Sequence, residues 1–86
     1  MRVILPSPLT DYTDGRREVA ADGATLDAAL RDLDRQFAGI RFRMIDEQDR
    51  IRPHIKLFVN GEQQRSLGGA VRPGDEIIVI AALSGG

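Results

Sequence analysis

The stretch "PGDEIIVIAALSGG", Pro73–Gly86, decides the fold. Four consecutive large apolar residues, Ile77 to Ile80, follow a Pro-Gly turn signal and lead into a small-residue tail. A run of this kind is typical of a strand buried on both faces, or buried on one face and used for binding on the other. We therefore predict a last strand over residues 76–82 and a flexible tail over residues 83–86.

Two short strands and a helix are predicted upstream. Residues 2–6 alternate in polarity and residues 16–20 contain one strongly apolar side chain, so Asp14-Gly15 between them indicates an antiparallel hairpin. Thr25 is a good N-cap, and Gly39 is expected to close the helix that follows. The apolar stripe of that helix comprises Leu26, Ala29, Leu30, Leu33 and Phe37.

The second half of the chain predicts two more strand regions. Residues 55–59 alternate with Ile55, Leu57 and Val59 on one face, and Asn60-Gly61 is a strong two-residue turn signal. Residues 40–53 indicate a short hairpin-like excursion or an irregular ordered loop. The order is strand, strand, helix, strand, short piece, strand, which favours an α+β fold.

A strongly apolar last strand in so short a chain is expected at the centre of the sheet, beside the first strand. The predicted architecture is therefore the β-grasp (ubiquitin-like) fold, with a mixed sheet packed against one main helix. We assign residues 1–82 to this domain and residues 83–86 to the tail.

Composition excludes several classes of function. The chain has 86 residues, a formal net charge of −1 and no cysteine. Nucleic acid is therefore not expected as the main partner, and disulfides, thiolate metal sites and cysteine nucleophiles are excluded. No apolar run is long enough for a signal peptide or a membrane span, so we expect a cytoplasmic protein with no membrane partner.

No metal or catalytic constellation is expected in the chain. His54 is the one histidine and has no ligand cluster at metal-binding spacing. The acidic stretch Asp46–Asp49 lacks the ligand pattern of a calcium loop, so a solvated turn is the better interpretation. No cofactor is expected to be bound.

Four features in this order resemble the ubiquitin-fold sulfur carriers related to MoaD and ThiS. They are the β-grasp strand order, "VNGE" at Val59–Glu62, "PGDEI" at Pro73–Ile77 and the terminal Gly85-Gly86. Each motif is weak by itself, but their order and spacing cover the whole chain. The resemblance is strongest to the MoaD-like and CysO-like branch.

The resemblance implies a carrier protein rather than an enzyme, although it is compatible with the small subunit of a molybdopterin synthase-type complex. A ubiquitin-activating-type adenylating enzyme would use ATP to convert the Gly86 carboxylate to an acyl adenylate. Sulfur would then replace AMP and leave a thiocarboxylate for a sulfur-accepting synthase or large subunit. Gly85 would let the tail enter a narrow channel, since glycine has no side chain and tolerates unusual backbone angles.

A partner-binding surface is predicted beside the tail. If Ile77 and Val79 face the core, then Ile78 and Ile80 face away from it, and Phe58 alternates in the same sense. With Leu83 and the small spacer Ser84, these residues are the predicted partner contacts. The competing interpretation is that residues 40–53 fold back and cover the apolar patch.

Two other functions remain open at this point. A ubiquitin-like modifier would join Gly86 to a substrate lysine, and a simple binding module would have an inert terminus. Relatives often carry a proline shortly before the diglycine, where this chain has Ala81 and Ala82. The sulfur acceptor therefore stays open among pterin, thiazole, activated serine and tRNA bases.

Overall fold

The computed structural model describes residues 1–82, which form a five-stranded mixed sheet with two helices. The strand order across the sheet is β2-β1-β5-β3-β4. The elements are β1 (Arg2–Ile4), a 3₁₀ helix (Ser7–Thr13), β2 (Glu18–Ala20), α1 (Leu26–Gln36), α2 (Ile40–Met44), β3 (Ile55–Val59), β4 (Glu62–Gln64) and β5 (Glu76–Ala81).

The last strand lies at the centre of the sheet, as predicted. It runs parallel to β1, with Val3 opposite Ile77, and antiparallel to β3, with Leu57 opposite Val79. Ile77 and Val79 are buried against the helical side of the sheet. Because side chains alternate along a strand, Ile78 and Ile80 lie on the opposite face. The predicted β-grasp fold is confirmed.

Helix α1 forms where the apolar stripe predicted it. The backbone N–H of Ala28 donates to the Thr25 hydroxyl at 3.1 Å, which is the expected N-cap bond. The stripe residues Leu26, Leu30 and Leu33 are fully buried, and burial of a leucine contributes about 1.5–3 kcal/mol each. The helix ends at Gln36, so the prediction that Gly39 closes it was wrong.

The first two strands pair antiparallel as predicted but are shorter than expected. Pro6 and Pro8 lead the chain into a 3₁₀ helix, with Leu9 and Thr13 buried. Asp14 and Gly15 then adopt positive φ angles of 54° and 84°. The connection is therefore a helical turn rather than a tight hairpin.

Residues 40–53 divide into two parts. Gly39, with φ of 95°, begins the short helix α2, which buries Ile40 and Met44. The hairpin prediction was wrong for this half, because the apolar spacing of four residues suits one helical turn. A β-bridge between Ile45 and Ile51 encloses the polar turn, so the second half is hairpin-like as predicted.

Asn60 and Gly61 form the predicted turn between β3 and β4, with positive φ angles of 51° and 84°. The Asn60 side chain also donates to Asp75 Oδ1 at 2.9 Å and accepts from the Glu76 N–H at 3.0 Å. These bonds join the turn to the start of β5. The bond from the Asn60 side chain lowers the pKa of Asp75, and a bond from the Arg72 N–H to the same carboxylate lowers it further.

Candidate functional site

The sheet face that points away from the helices carries an apolar row. Cross-strand pairing aligns Ile4, Ile78 and Phe58 across β1, β5 and β3. Ile80 follows on β5 and lies opposite Lys56 of β3. We call these four apolar residues, Ile4, Phe58, Ile78 and Ile80, the outer sheet face.

Ile80 is a large apolar residue that stays 44% exposed beside the other residues of 1–82. Phe58 and Ile78 are half-buried by their neighbours. Segment 40–53 packs instead on the helical side, where Met44 and Ile45 are fully buried in the core. The structure therefore brings three predicted contact residues together and leaves them open.

Charged side chains lie around the apolar row. Lys56 is exposed near the start of β3, two residues before Phe58. At the other end of the row, Arg2 pairs with Glu76 and lies 3.8 Å from Glu18. An apolar centre with charged neighbours is the usual composition of a protein-binding surface.

The tail begins at the end of this same face. Strand β5 ends at Ala81, and the Ala82 N–H donates to the His54 carbonyl at 2.8 Å. That bond extends the β3–β5 pairing by one residue, to Ala82. The other predicted site residues, Leu83, Ser84, Gly85 and Gly86, lie outside the described residues.

Comparison with known proteins identifies the family. The ThiS family model matches residues 3–86. This chain belongs to the ThiS family. It is 34% identical to the sulfur carrier protein CysO of Mycobacterium tuberculosis, over 98% of this chain and 96% of CysO.

Solved structures of similar proteins share the fold. A chain of the Amycolatopsis orientalis BexX/CysO complex matches with a TM-score of 0.90 and 31% identity, over 99% of this chain and 98% of that chain. Haloferax volcanii SAMP1 matches with a TM-score of 0.80 and 31% identity, over 100% and 98%. The family and these relatives establish a sulfur carrier rather than an enzyme, and the predicted resemblance is confirmed.

The acidic turn in this ThiS-family chain is internally bonded. Asp46 Oδ1 accepts from the N–H groups of Gln48 and Arg50, each at 2.9 Å. These bonds, led by the one from Arg50, lower the pKa of Asp46. Among residues 1–82, no three potential metal ligands lie together. No helix in that range is long and apolar enough to cross a membrane.

One surface feature beside the tail was missed from the sequence. Phe42 is 55% exposed, and the Arg52 guanidinium lies 4.5 Å from its ring centroid. Both residues face a groove below the end of β5. The sequence signal was an aromatic residue between Arg41 and Arg43, which the hairpin interpretation had left without a role.

Proposed function

We propose that this protein carries sulfur as a thiocarboxylate on Gly86. An adenylating enzyme joins the carboxylate to the α-phosphate of ATP and releases pyrophosphate. Hydrosulfide then attacks the acyl carbon, AMP leaves and a proton is lost, so one terminal oxygen is replaced by sulfur. Activation is needed because an ionised carboxylate, with a pKa of about 3.3–3.7, is a poor electrophile at neutral pH.

The match of the family model through Gly86 is the observation that carries this proposal. The geometry supports it, since β5, which carries Ile78 and Ile80 of the outer sheet face, ends at Ala81, five residues before Gly86 in the sequence. A chain extended from Ala82 to Gly86 spans at most roughly 15–18 Å, enough to enter a partner's pocket. The folded body then acts as the recognition surface, with Phe58, Ile78 and Ile80 as contacts and Leu83 and Ser84 beside them.

The partners in this proposal are an adenylating enzyme that uses ATP and a protein that accepts the sulfur, with all steps in the cytoplasm. A BexX/CysO complex exists for the relative from Amycolatopsis orientalis, which supports binding of a partner protein. Similarity to CysO favours a metabolite acceptor of the cysteine-biosynthesis type over a pterin acceptor. A small subunit of a synthase complex is the other arrangement consistent with the tail.

Intact mass tests the proposed chemistry. Purified protein is incubated with extract of its own cells, ATP and sulfide. We expect replacement of one oxygen by sulfur, dependent on ATP and absent from a chain that lacks Gly86. The matched control is Gly68→Ala, which keeps the terminus and adds a methyl group where nothing lies within 4 Å. An unchanged mass, in extract that converts a known carrier, contradicts the proposal.

The second candidate function is protein modification through Gly86. Similarity to Haloferax volcanii SAMP1, a small archaeal modifier protein, favours it specifically. An isopeptide bond to lysine uses the same acyl adenylate, with an amine in place of sulfide. Higher-mass conjugates in cells that express the tagged chain, lost on deletion of Gly86, would support this function.

A further inference from the structure

A groove of about 490 Å³ opens beneath the end of β5. Ala81 and Ala82 form one wall, and the bond from the Ala82 N–H to the His54 carbonyl holds that wall in place. The groove therefore adjoins Ala82, which immediately precedes the predicted tail in the sequence. It lies on the other side of β5 from Ile80, because Ala81 and Ile80 point to opposite faces of the sheet.

The opposite wall of the groove contains Phe42, and the guanidinium of Arg52 lies over its exposed ring. Phe42 is exposed because α2 has turned Ile40 and Met44 into the core. Arg52 Nε donates to the Phe42 carbonyl at 2.7 Å, and its guanidinium stacks over the Phe42 ring. This arrangement orders the guanidinium and leaves its terminal N–H groups available, as in sites that recognise carboxylates.

The groove is cationic. The two arginines Arg43 and Arg52 line it, the remaining lining residues are apolar except for His54, and none is a carboxylate. Among residues 1–82, Arg43 and Arg52 form no ion pair, whereas Arg31, Arg35 and Arg41 each do.

One acidic group, Asp46, interacts with Arg52 of the groove electrostatically. Asp46 is already bonded to two backbone N–H groups and lies 3.5 Å from Arg50. The positive charge of the groove is therefore largely uncompensated within residues 1–82. The groove combines apolar lining residues with two arginines. It therefore suits a ligand in which carboxylates flank an apolar side chain.

We propose that the groove binds an acidic segment of the protein that receives the tail, with carboxylates on Arg43 and Arg52 and an apolar side chain against Phe42. A protein that encloses the tail must pass beside Ala82, so the groove and the outer sheet face are engaged together from the two sides of β5. This inference rests on the proposed function for the identity of the partner. We choose an acidic occupant because its carboxylates would complement the positive charge of Arg43 and Arg52.

The first test uses the isolated protein and therefore does not depend on carrier activity. The probe is the peptide acetyl-Glu-Glu-Leu-Phe-Glu-Glu-amide, titrated into the ¹⁵N-labelled chain and followed by NMR. We expect amide shifts centred on Phe42, Arg43 and Ala82, which weaken with added salt. The matched peptide with glutamine at each glutamate should give much smaller shifts.

The second test measures ATP-dependent conversion in extract. We expect Arg43→Glu and Arg52→Gln each to slow conversion about tenfold or more, through the loss of charge pairing at the interface. Arg65→Glu is the matched control for Arg43→Glu, because Arg65 is exposed like Arg43 and lies outside the groove. Melting temperatures of all variants show whether loss of the Arg52–Phe42 bond affects folding.

The outcomes separate the two proposals. If wild type is converted and both variants match it, the groove proposal is overturned and the carrier function stands. If wild type is not converted, the carrier function fails and the peptide titration alone decides the groove. If the glutamine peptide causes the same amide shifts as the glutamate peptide, the proposal that the occupant is acidic is overturned. If the amide signals of groove residues shift when the chain is diluted in the absence of peptide, the groove binds a second copy of the chain, and the proposal is overturned.

Discussion

Asn60 illustrates how one residue can serve two parts of the fold. The Asn-Gly pair predicted the turn correctly, because asparagine and glycine both tolerate positive φ. The bonds of the Asn60 side chain to Asp75 and Glu76 were not predicted. They require β3 and β5 to be neighbours, which local sequence does not specify.

At the residue scale, we predict that a substitution at Gly23 destabilises the fold. A Cβ atom at this position would lie 2.5 Å from the Ala29 nitrogen and 2.7 Å from the Ala28 carbonyl carbon. Helix backbone cannot move as a side chain can, so Gly23→Ala should lower the free energy of unfolding by about 1–3 kcal/mol. Urea unfolding measures this change.

Gly68→Ala is the matched control for that substitution. Nothing lies within 4 Å of its added Cβ, so its effect should stay within about 0.5 kcal/mol. Equal stability of the two variants would contradict the close packing of Gly23 on α1.

At the scale of elements, a charge network joins α1, α2 and the acidic turn. Arg41 of α2 donates to Asp27 of α1 at 2.7 Å and to Asp49 of the turn at 3.2 Å. Arg31 donates to the same Asp27 at 2.8 Å. The i,i+4 spacing of Asp27 and Arg31 by itself favours the pair within α1, but the partner on α2 depends on how the two helices pack.

The network makes the packing of the two helices sensitive to acid. Partial burial opposes ionisation of Asp27, but hydrogen bonds from Arg31 and Arg41 outweigh it and hold its pKa below the ordinary value. The unfolded carboxyl has a pKa of about 3.9. The stabilisation is therefore complete above that pH and is lost as pH falls through the folded pKa.

Asp27→Asn tests this dependence. We expect a loss of about 1–2 kcal/mol at pH 7, reduced below pH 3 because wild type is then protonated too. Unfolding in urea at both pH values measures the difference, with the highly exposed Asp22→Asn as control. A loss that is the same at both pH values would show that the carboxylate charge contributes nothing.

For the whole molecule, the strand order determines where the partner surface lies. Because β5 is central, it displays Ile78 and Ile80 between β1 and β3 and then leads directly into the tail. In the proposed function, the recognition surface and the reactive terminus therefore belong to one strand and the residues that follow it in the sequence. A partner that binds the outer sheet face has the tail within its reach.

Ile80→Asp tests the use of this face. Removal of a central apolar contact should slow ATP-dependent conversion about tenfold or more. The melting temperature should change little, because Ile80 is already 44% exposed. Ala38→Asp, which adds the same charge at an exposed site between the helices, should be converted at the wild-type rate. Equal rates for the two variants would exclude the face from partner binding.

The local pattern of residues was sufficient to predict much of the structure of this protein. The stripe of α1 with its Thr25 cap, the bounds of β3 and the Asn60-Gly61 turn all follow from spacing and from residue-specific backbone preferences. The apolar run of β5 also predicted its central place. These features depend on neighbours in sequence, or on the need to bury one long apolar strand.

Tertiary structure alone decided the rest. The sequence "RFRMI" suits a strand or a helical turn, and contact with α1 selects α2, which buries Met44 and exposes Phe42. The cationic groove then forms from residues of the 3₁₀ helix, of α2, of the segment that leads into β3 and of the end of β5, which are far apart in sequence. Sequence spacing carries no information on such a site, because its members are brought together only by packing.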